Sequence, residues 1–150
     1  MDLASNQVSY SLLNRSIESD LIPYAQHNNL GIIAYSPMER GLLSGKYLNN
    51  NRLKPDDHRH GYFAQFDLEK VKSLLENLTS LALDKKSSLS QLVLRWTMLQ
   101  PGITTVLAGA RNAAQALENA QATRLDLSSE ELTFIQSQVK PLHNSENEAV

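Results

Sequence analysis

A short segment near residue 110 carries residues that together can bind phosphate. Gly109, Ala110 and Arg111 lie between an apolar segment and the start of a predicted helix. Unpaired backbone N–H groups, the positive end of a helix dipole and a guanidinium would meet there, and each of these favours an anion. The same three residues also fit a plain glycine turn followed by a solvated arginine. The segment is therefore a candidate phosphate site with a structural alternative.

Three polar residues follow Arg111 along the predicted helix. Gln115, Glu118 and Asn119 stand at helical spacing from it and are expected on the same side. Amide and carboxylate groups beside a phosphate site can contact the base or the sugar of a nucleotide. An adenine or a ribose could lie there.

A second candidate cluster occupies residues 33–46. Tyr35 ends a continuous apolar run of strand length, and a loop that contains Gly41 and Gly45 begins at Ser36. In parallel α/β proteins ligands bind at the carboxyl ends of the strands, so Tyr35 and Ser36 face the functional side. A tyrosine there can stack on a flat ring. The alternative is that Tyr35 only covers the core and leaves its hydroxyl in water.

Two other groups of residues have side chains of types that can do chemistry. Asp56, Asp57, His58 and His60 are metal-ligand types, but they crowd into one loop without a second pair of ligands. A solvated loop is the favoured interpretation, and no metal site is predicted. No tyrosine has a lysine that its spacing would place beside it, so no general acid and no catalytic residue is assigned.

These residues need a scaffold of alternating strands and helices. Hydrophobic periodicity predicts strands at 4–8, 31–35 and 103–107, the last two of them buried, and helices at 16–28, 67–84, 88–99, 112–122 and 128–140. Asp67 is the expected N-cap of the helix at 67–84, and Ser128 with Glu131 has the spacing of a capping box. Residues 36–66 form a long loop with at most one helical turn after Pro37, and Ala108–Gly109–Ala110 forms a tight turn. The order predicts an α/β fold with parallel strands, whose open edge at 4–8 invites self-association.

Composition limits the class of protein. The chain has 150 residues, 41% of them hydrophobic, a net charge of -2 and no cysteine. This suits one folded domain, but it falls short of the roughly 250 residues of a complete (β/α)₈ barrel. No basic field would attract nucleic acid, and no apolar run is long enough for a membrane span or an export signal. We therefore expect no nucleic-acid or membrane partner and a cytoplasmic location.

Three stretches resemble signatures of the aldo-keto reductase family in the family's order. They read SNQV at 5–8, AYSP at 34–37 with GLLSGK at 41–46, and GARN at 109–112 followed by Gln115, Glu118 and Asn119. The resemblance runs from about residue 4 to about residue 119. It implies a partial TIM (β/α)₈ barrel, about strands six to eight with their helices. Residues 1–140 would be the C-terminal portion of an NADP-dependent oxidoreductase domain, and 141–150 a polar tail.

The resemblance also implies roles in cofactor binding. Gln7 would hydrogen-bond the nicotinamide carboxamide, and Tyr35 would stack beneath its ring. Arg111 would pair with the adenosine 2′-phosphate, which favours NADP(H) over NAD. The pyrophosphate would lie along the loop after the second strand, and the adenine end would lie beside the last helix of the motif. The complete implied set is Gln7, Tyr35, Ser36, Met38, Arg40, Gly41, Gly109, Arg111, Gln115, Glu118 and Asn119.

The family's catalytic Asp, Tyr, Lys and His would lie upstream of residue 1. The chain alone is therefore expected to be the cofactor-binding half of a reductase, with a small carbonyl substrate if the other half completes it. Two alternatives remain open. One is a noncatalytic nucleotide-binding module that resembles the aldo-keto-reductase-like subunits of potassium channels, and the other is a remnant that folds poorly.

Overall fold

A parallel sheet of three strands lies at the centre of the fold. The computed structural model describes residues 3–47 and 53–143. Strands β1 (Ser5–Ser9), β2 (Gly31–Tyr35) and β3 (Thr105–Val106) are hydrogen-bonded in that order. Ser5 to Ser9 pair in register with Gly31 to Tyr35, and β3 pairs with the middle of β2. The predicted parallel α/β arrangement is confirmed.

Helices connect the strands and cover one face of the sheet. The α-helices are α1 (Leu21–His27), α2 (Arg59–Phe63), α3 (Leu68–Asp84), α4 (Leu89–Met98), α5 (Ala113–Gln121) and α6 (Ser129–His143). Short 3₁₀ segments occupy Ser16–Glu18, Glu39–Ser44 and Ala122–Arg124. Within the described ranges, no helix is long and apolar enough to cross a membrane.

Predicted caps hold the ends of two helices. The Asp67 carboxylate accepts a hydrogen bond from the Lys70 N–H at 3.2 Å and so caps α3. At α6 the backbone N–H of Ser128 donates to the Glu131 carboxylate at 2.7 Å, and the Glu131 N–H donates back to the Ser128 hydroxyl at 3.3 Å. Both caps satisfy backbone donors that have no partner inside the helix, as the sequence predicts.

The core lies between the sheet and helices α3, α4 and α6. Hydrophobic periodicity gives the predicted helix at 67–84 one apolar face, and α3 buries that face at Val71, Leu74, Leu75, Leu78 and Ala82. Leu68, which the periodicity places on the same face, is exposed in the first turn. Helix α4 is buried more broadly, with Trp96 stacked on Tyr10 at 6.0 Å between ring centroids. This packed layer supports the loops that follow the carboxyl ends of the strands.

The single helix predicted over 16–28 is wrong. The structure has a 3₁₀ turn at Ser16–Glu18 and then α1 from Leu21 to His27. Pro23 explains the break, because its ring would clash with the carbonyl of residue 19 in a continuous helix. In the first turn of a new helix the missing N–H of Pro23 costs nothing.

Two strand predictions need correction. The first strand is shifted by one residue, from 4–8 to Ser5–Ser9, and the third is two residues long rather than five, and is not buried. Thr104 shortens the ladder on one side, since its side-chain oxygen accepts the Ile32 N–H at 3.0 Å. Contact with β2 nevertheless continues, because the N–H of Leu107 donates to the Ala34 carbonyl at 2.8 Å. The third strand is exposed because it lies at an edge of the described sheet.

Three boundary predictions also differ from the structure. The predicted loop 36–66 contains the 3₁₀ segment Glu39–Ser44, which follows Pro37 as expected, and also α2, which was not predicted. Residues 108–110, predicted as a tight turn, form no assigned turn in the structure, and Gly109 does not have a positive φ. Helix α6 continues to His143 instead of ending at residue 140, and the remainder of the predicted tail, 144–150, lies outside the described residues.

Gly102 joins α4 to β3 at a point of close contact with α1. Its φ is +82°, and a Cβ at this position would lie 2.5 Å from Cγ2 of Ile22. We predict that Gly102→Ala lowers the free energy of unfolding by about 2 kcal/mol or more, because it adds left-handed strain to a clash. Urea unfolding of the purified chain, followed through Trp96 fluorescence, measures this.

Gly61→Ala is the matched control. No heavy atom lies within 4 Å of a Cβ at Gly61, which is inside α2 and has no positive φ. Alanine is the better helix former by about 0.5–1 kcal/mol, so this variant should be slightly more stable. Equal effects of the two substitutions would contradict the predicted packing of Gly102 on α1.

Candidate functional site

A cleft lies at the carboxyl ends of β2 and β3. Its volume is about 840 Å³. Segment 36–47, which follows β2, and segment 107–119, which follows β3, supply most of its lining, with residues 57–59 beside them. Nine of the predicted cofactor-binding residues line it: Ser36, Met38, Arg40, Gly41, Gly109, Arg111, Gln115, Glu118 and Asn119. The structure thus brings together two segments that are about 70 residues apart in sequence.

The remaining two predicted residues lie on the uncovered face of the sheet. Burial alternates along β2, so that Ile32 and Ala34 face the helices, while Ile33 and Tyr35 face away from them. The prediction that this strand is buried is therefore wrong for one of its two faces. Gln7 is the register partner of Ile33 and shares this open face. Both Gln7 and Tyr35 are exposed, and neither lines the cleft. Tyr35 directly precedes Ser36, so the open face and the cleft meet at that peptide.

Polar side chains hold segment 109–111 against the start of α5. The Asn112 side chain caps α5 by accepting the Gln115 N–H at 2.9 Å. The Gln115 carboxamide oxygen in turn accepts the Arg111 N–H at 2.8 Å, and the Asn119 amide donates to the Gly109 carbonyl at 3.1 Å. Gln115 and Asn119 therefore shape the loop itself.

The Arg111 guanidinium projects from this fixed backbone. Arg111 is exposed, and its guanidinium makes no hydrogen bond or ion pair with any described residue. Gly109 beside it leaves open space, because no heavy atom lies within 4 Å of the position of a Cβ. A fixed backbone with an unpaired cation and room beside it suits a bound anion.

Glu118 is engaged by α4. Its carboxylate accepts the Ser88 hydroxyl at 2.7 Å, and its backbone carbonyl accepts the Gln91 amide at 3.1 Å. The same Ser88 and Gln91 form a capping box at the start of α4. The N-terminus of α4 is thus tied to α5 by hydrogen bonds, which fixes one side of the cleft.

The loop after β2 has an unusual backbone. Ser36, Glu39 and Arg40 have φ values of 56°, 45° and 54°, and Gly41 follows at 94°. The left-handed conformation costs a residue other than glycine roughly 1–2 kcal/mol. Other contacts must therefore hold these residues in place, and the Glu39 N–H and Gly41 N–H bond back to the carbonyls of Ser36 and Met38.

A buried carboxylate anchors this loop. Glu39 is fully buried, and its two oxygens accept hydrogen bonds from the hydroxyls of Ser11 and Tyr62. The Arg40 guanidinium lies over the Tyr62 ring at 3.9 Å from its centroid. Burial and the bond to Glu39 raise the pKa of the Tyr62 phenol to about 12. Sequence reasoning missed this cluster, because Ser11 and Tyr62 are far from Glu39 along the chain.

A second cluster holds the far side of the cleft. Arg59 pairs with the Asp57 carboxylate at 2.6 Å and donates to the Tyr47 hydroxyl, also at 2.6 Å. The bonds from Arg59 hold the pKa of Asp57 well below its ordinary value. A His60 ring nitrogen contacts the Lys54 carbonyl at 2.8 Å. Within residues 3–47 and 53–143, no group of His, Asp and Glu is arranged to hold a metal ion.

The charged side chains of the cleft leave it electropositive. Of the two acidic residues that line it, Asp57 is paired with Arg59, and Glu118 is hydrogen-bonded to Ser88. Arg40, Lys46 and Arg111 make no ion pair within the described part of the chain. Lys46 lies in the GLLSGK stretch, so the motif contained a signal for it. Three such cations around one cleft favour a ligand with several negative charges.

The hydroxyls of Tyr10 and Tyr62 do not have the partners of a general acid, and the Tyr47 hydroxyl at the cleft is engaged by Arg59. The hydroxyl of Tyr10 donates to Glu18 at 2.5 Å, that of Tyr62 donates to Glu39, and that of Tyr47 accepts from Arg59. A carboxylate acceptor holds the phenolic proton rather than assisting its release, so burial and Glu18 raise the pKa of Tyr10. The geometry provides a binding surface.

Comparison with known proteins identifies relatives of the chain. Residues 1–140 match the family described as the Aldo/keto reductase family. L-glyceraldehyde 3-phosphate reductase of Escherichia coli O157:H7 is 35% identical over 144 residues, which is 91% of this chain and 42% of that protein. The NADH-specific methylglyoxal reductase of Escherichia coli strain K12 is 28% identical, again over 91% of this chain and 42% of the relative.

A solved structure has the same fold. Glycerol dehydrogenase from Gluconobacter oxydans superposes with a TM-score of 0.83 and 27% identity, over 95% of this chain and 44% of that one. The chain spans about two fifths of the length of these relatives. Its sheet and helices therefore correspond to part of a larger (β/α)₈ barrel.

Tyr62 gives the anchoring cluster a testable dependence on pH. Its pKa is raised to about 12, so the hydrogen bond to Glu39 stabilises the fold fully below pH 10 and is lost as the pH rises toward 12. We predict that Tyr62→Phe lowers the free energy of unfolding by about 1–2 kcal/mol near neutral pH, with the difference shrinking above pH 10. Urea unfolding at a series of pH values measures the difference.

Tyr24→Phe serves as the control. Tyr24 is exposed, and its hydroxyl makes no hydrogen bond within the described residues. This variant should match the unmodified chain at every pH. A Tyr62→Phe difference that stays constant up to pH 12 would contradict the proposed hydrogen bond.

Proposed function

The chain belongs to the aldo/keto reductase family, and from this membership we propose that it is the cofactor-binding part of an NADP(H)-dependent carbonyl reductase. The observation that carries the proposal is the unpaired Arg111 guanidinium, which shares one cleft with Arg40 and Lys46. A dinucleotide with a 2′-phosphate has negative charge at two places, the diphosphate and the ribose. The cleft offers cations from two separate segments, which suits that distribution.

The two segments would hold different parts of the cofactor. The diphosphate would lie along Ser36, Met38 and Arg40, where Gly41 keeps the backbone accessible. The adenosine end would lie beside Gly109 and Arg111. From there the cleft leads back to the peptide that joins it to the open face of the sheet.

The nicotinamide end would lie on that open face. Tyr35 is exposed at the end of β2 and presents a ring on which a nicotinamide could stack. Gln7 lies on the same face, on the neighbouring strand, and its carboxamide could pair with that of the nicotinamide. The bound cofactor would supply a hydride to a carbonyl carbon. The residues of this chain would bind and orient the ring, and Tyr35 would shield one side of it from water.

Family membership does not decide between the two nicotinamide cofactors. One relative is named as an NADH-specific methylglyoxal reductase, and it matches the same share of this chain as L-glyceraldehyde 3-phosphate reductase does. The choice of NADP(H) therefore depends on Arg111. We also propose a small carbonyl compound or polyol as substrate, because the relatives' names refer to glyceraldehyde 3-phosphate, methylglyoxal and glycerol.

Arg111→Ala tests the cofactor assignment. A charge-assisted contact with the 2′-phosphate contributes about 1.5–3 kcal/mol, so NADPH affinity should fall roughly ten- to hundredfold while NADH affinity barely changes. Fluorescence titration with NADPH and with NADH measures the two affinities. The titration uses the whole natural protein, with any further residues that its reading frame encodes. Equal losses for both cofactors would make Arg111 structural and remove the support for NADP(H).

Tyr35→Ala is the companion variant with a different expected pattern. Stacking beneath the nicotinamide is common to NADPH and NADH, so both affinities should fall by a similar factor. A loss confined to NADPH would mean that Tyr35 acts on the phosphate end, and the proposed orientation of the cofactor would be wrong.

The 150-residue chain purified alone is predicted to be inactive. Its buried or half-buried tyrosine hydroxyls are bound to Glu18, Glu39 and Arg59, and none is placed to protonate a carbonyl. We expect no NADPH-dependent reduction of nitrobenzaldehyde above a mock-purification control. Turnover retained in the homogeneous chain would contradict this. Turnover by a longer natural protein that contains this chain would favour a reductase over a noncatalytic nucleotide-binding module.

A further inference from the structure

Glu39 has no direct access to the cleft, although it lies inside the loop that borders it. Its side chain is fully buried, and it is not among the lining residues, whereas its neighbours Met38, Arg40 and Gly41 are. A buried carboxylate loses its hydration, and it is tolerated only where hydrogen bonds or cations replace the water. Here two hydroxyls do so, from Ser11 and Tyr62.

The two hydroxyls come from separate parts of the chain. Ser11 lies just after β1, where its hydroxyl oxygen also accepts the N–H groups of Leu13 and Asn14 at 3.1 and 2.9 Å. Tyr62 lies in α2, within the long connection between β2 and α3. Glu39 therefore ties three segments together at one point.

Tyr62 has a second contact that reaches the cleft. Its ring lies beneath the Arg40 guanidinium at 3.9 Å, while its hydroxyl donates to the carboxylate of the preceding residue, Glu39. The ring thus fixes the direction of the Arg40 side chain, and the hydroxyl fixes the ring. Both Glu39 and Arg40 have left-handed backbones, so this segment would otherwise relax.

We propose that Glu39 is a positioning residue for phosphate binding, acting through the Tyr62 hydroxyl and ring to hold the Arg40 guanidinium toward the cofactor's diphosphate. This inference rests on the proposed function, because it assigns the anion to a dinucleotide. It assigns Glu39 and Tyr62 no contact with the ligand. Their effect on affinity should therefore disappear when Arg40 is removed.

A double-mutant cycle on Tyr62 and Arg40 tests the coupling. Tyr62→Phe keeps the ring under Arg40 and removes only the hydroxyl donor. The experiment uses the whole natural protein, with any further residues that its reading frame encodes. We expect Tyr62→Phe to weaken NADPH binding by about three- to tenfold when Arg40 is present, and by less than about twofold in an Arg40→Ala background. A purely structural role for Tyr62 would give the same factor in both backgrounds and would overturn the proposal.

Adenosine 2′-monophosphate provides an internal control. This probe carries the phosphate assigned to Arg111 and lacks the diphosphate, so Tyr62→Phe should change its affinity by less than about twofold. A loss of its affinity equal to that of NADPH would indicate general disruption of the cleft and would contradict the positioning role.

Glu39→Gln is the second variant. It keeps the length of the side chain and can accept a hydrogen bond from one hydroxyl while donating to the other. We expect NADPH affinity closer to that of the unmodified protein than in Glu39→Ala, at comparable thermal stability. Equal affinity in the unmodified protein, Glu39→Gln and Glu39→Ala would overturn the positioning role alone, whereas failure of the unmodified protein to bind NADPH would overturn the proposed function as well.

Discussion

Parallel pairing of β2 with its two neighbours is the constraint on which the site depends. Because the strands run in the same direction, the segments that follow them all leave the sheet where the carboxyl ends of the strands lie. The segments after β2 and β3 therefore share one cleft, although the two strands end about 70 residues apart in sequence. An antiparallel arrangement would send one of them to the opposite edge. The chemistry of Arg40 and Arg111 would then have no common ligand.

The packed helices provide the stability that allows the loop after β2 to adopt an irregular backbone. Fully buried leucines and Trp96 pack α3, α4 and α6 into one core with the sheet. Against that support, the loop after β2 has three left-handed residues other than glycine and a buried carboxylate. Such features persist only where the surroundings determine them, and they concentrate at functional positions. Glu39 shows how this is done, since its bonds to Ser11 and Tyr62 attach the loop to both sides.

Much of the fold could be predicted from local signals, and the errors have physical causes. The faces of α3, the caps at Asp67 and Ser128, and the strand Gly31–Tyr35 follow from periodicity and capping chemistry. Pro23 is the sequence signal for the break in the helix predicted over 16–28. The length of β3 could not be read from its apolar residues, because it depends on which neighbours cover the strand.

For the site, the motifs identified most of the residues that meet in the cleft but not what their side chains would do. Nine predicted residues line one cleft, since motif residues at strand ends converge whenever the strands are parallel. The bonds of Gln115, Asn119 and Glu118 to neighbouring backbone and side chains depend on tertiary geometry that spacing does not specify. The same is true of Glu39 and its two hydroxyl donors.

These bonds change how phosphate recognition at α5 should be understood. The sequence pattern predicts unpaired backbone N–H groups beside the guanidinium, but the Arg111 N–H is taken by the Gln115 carboxamide, and the Gln115 N–H is taken by Asn112. Fewer amide donors remain for a ligand than the sequence pattern implies. The Arg111 guanidinium keeps its donors and is held on a backbone that these same bonds make rigid. The helix dipole acts on any nearby anion, whereas a guanidinium can pair with a phosphate through two parallel hydrogen bonds. Discrimination between a phosphorylated and an unphosphorylated ribose would therefore depend on the Arg111 side chain more than on the helix terminus.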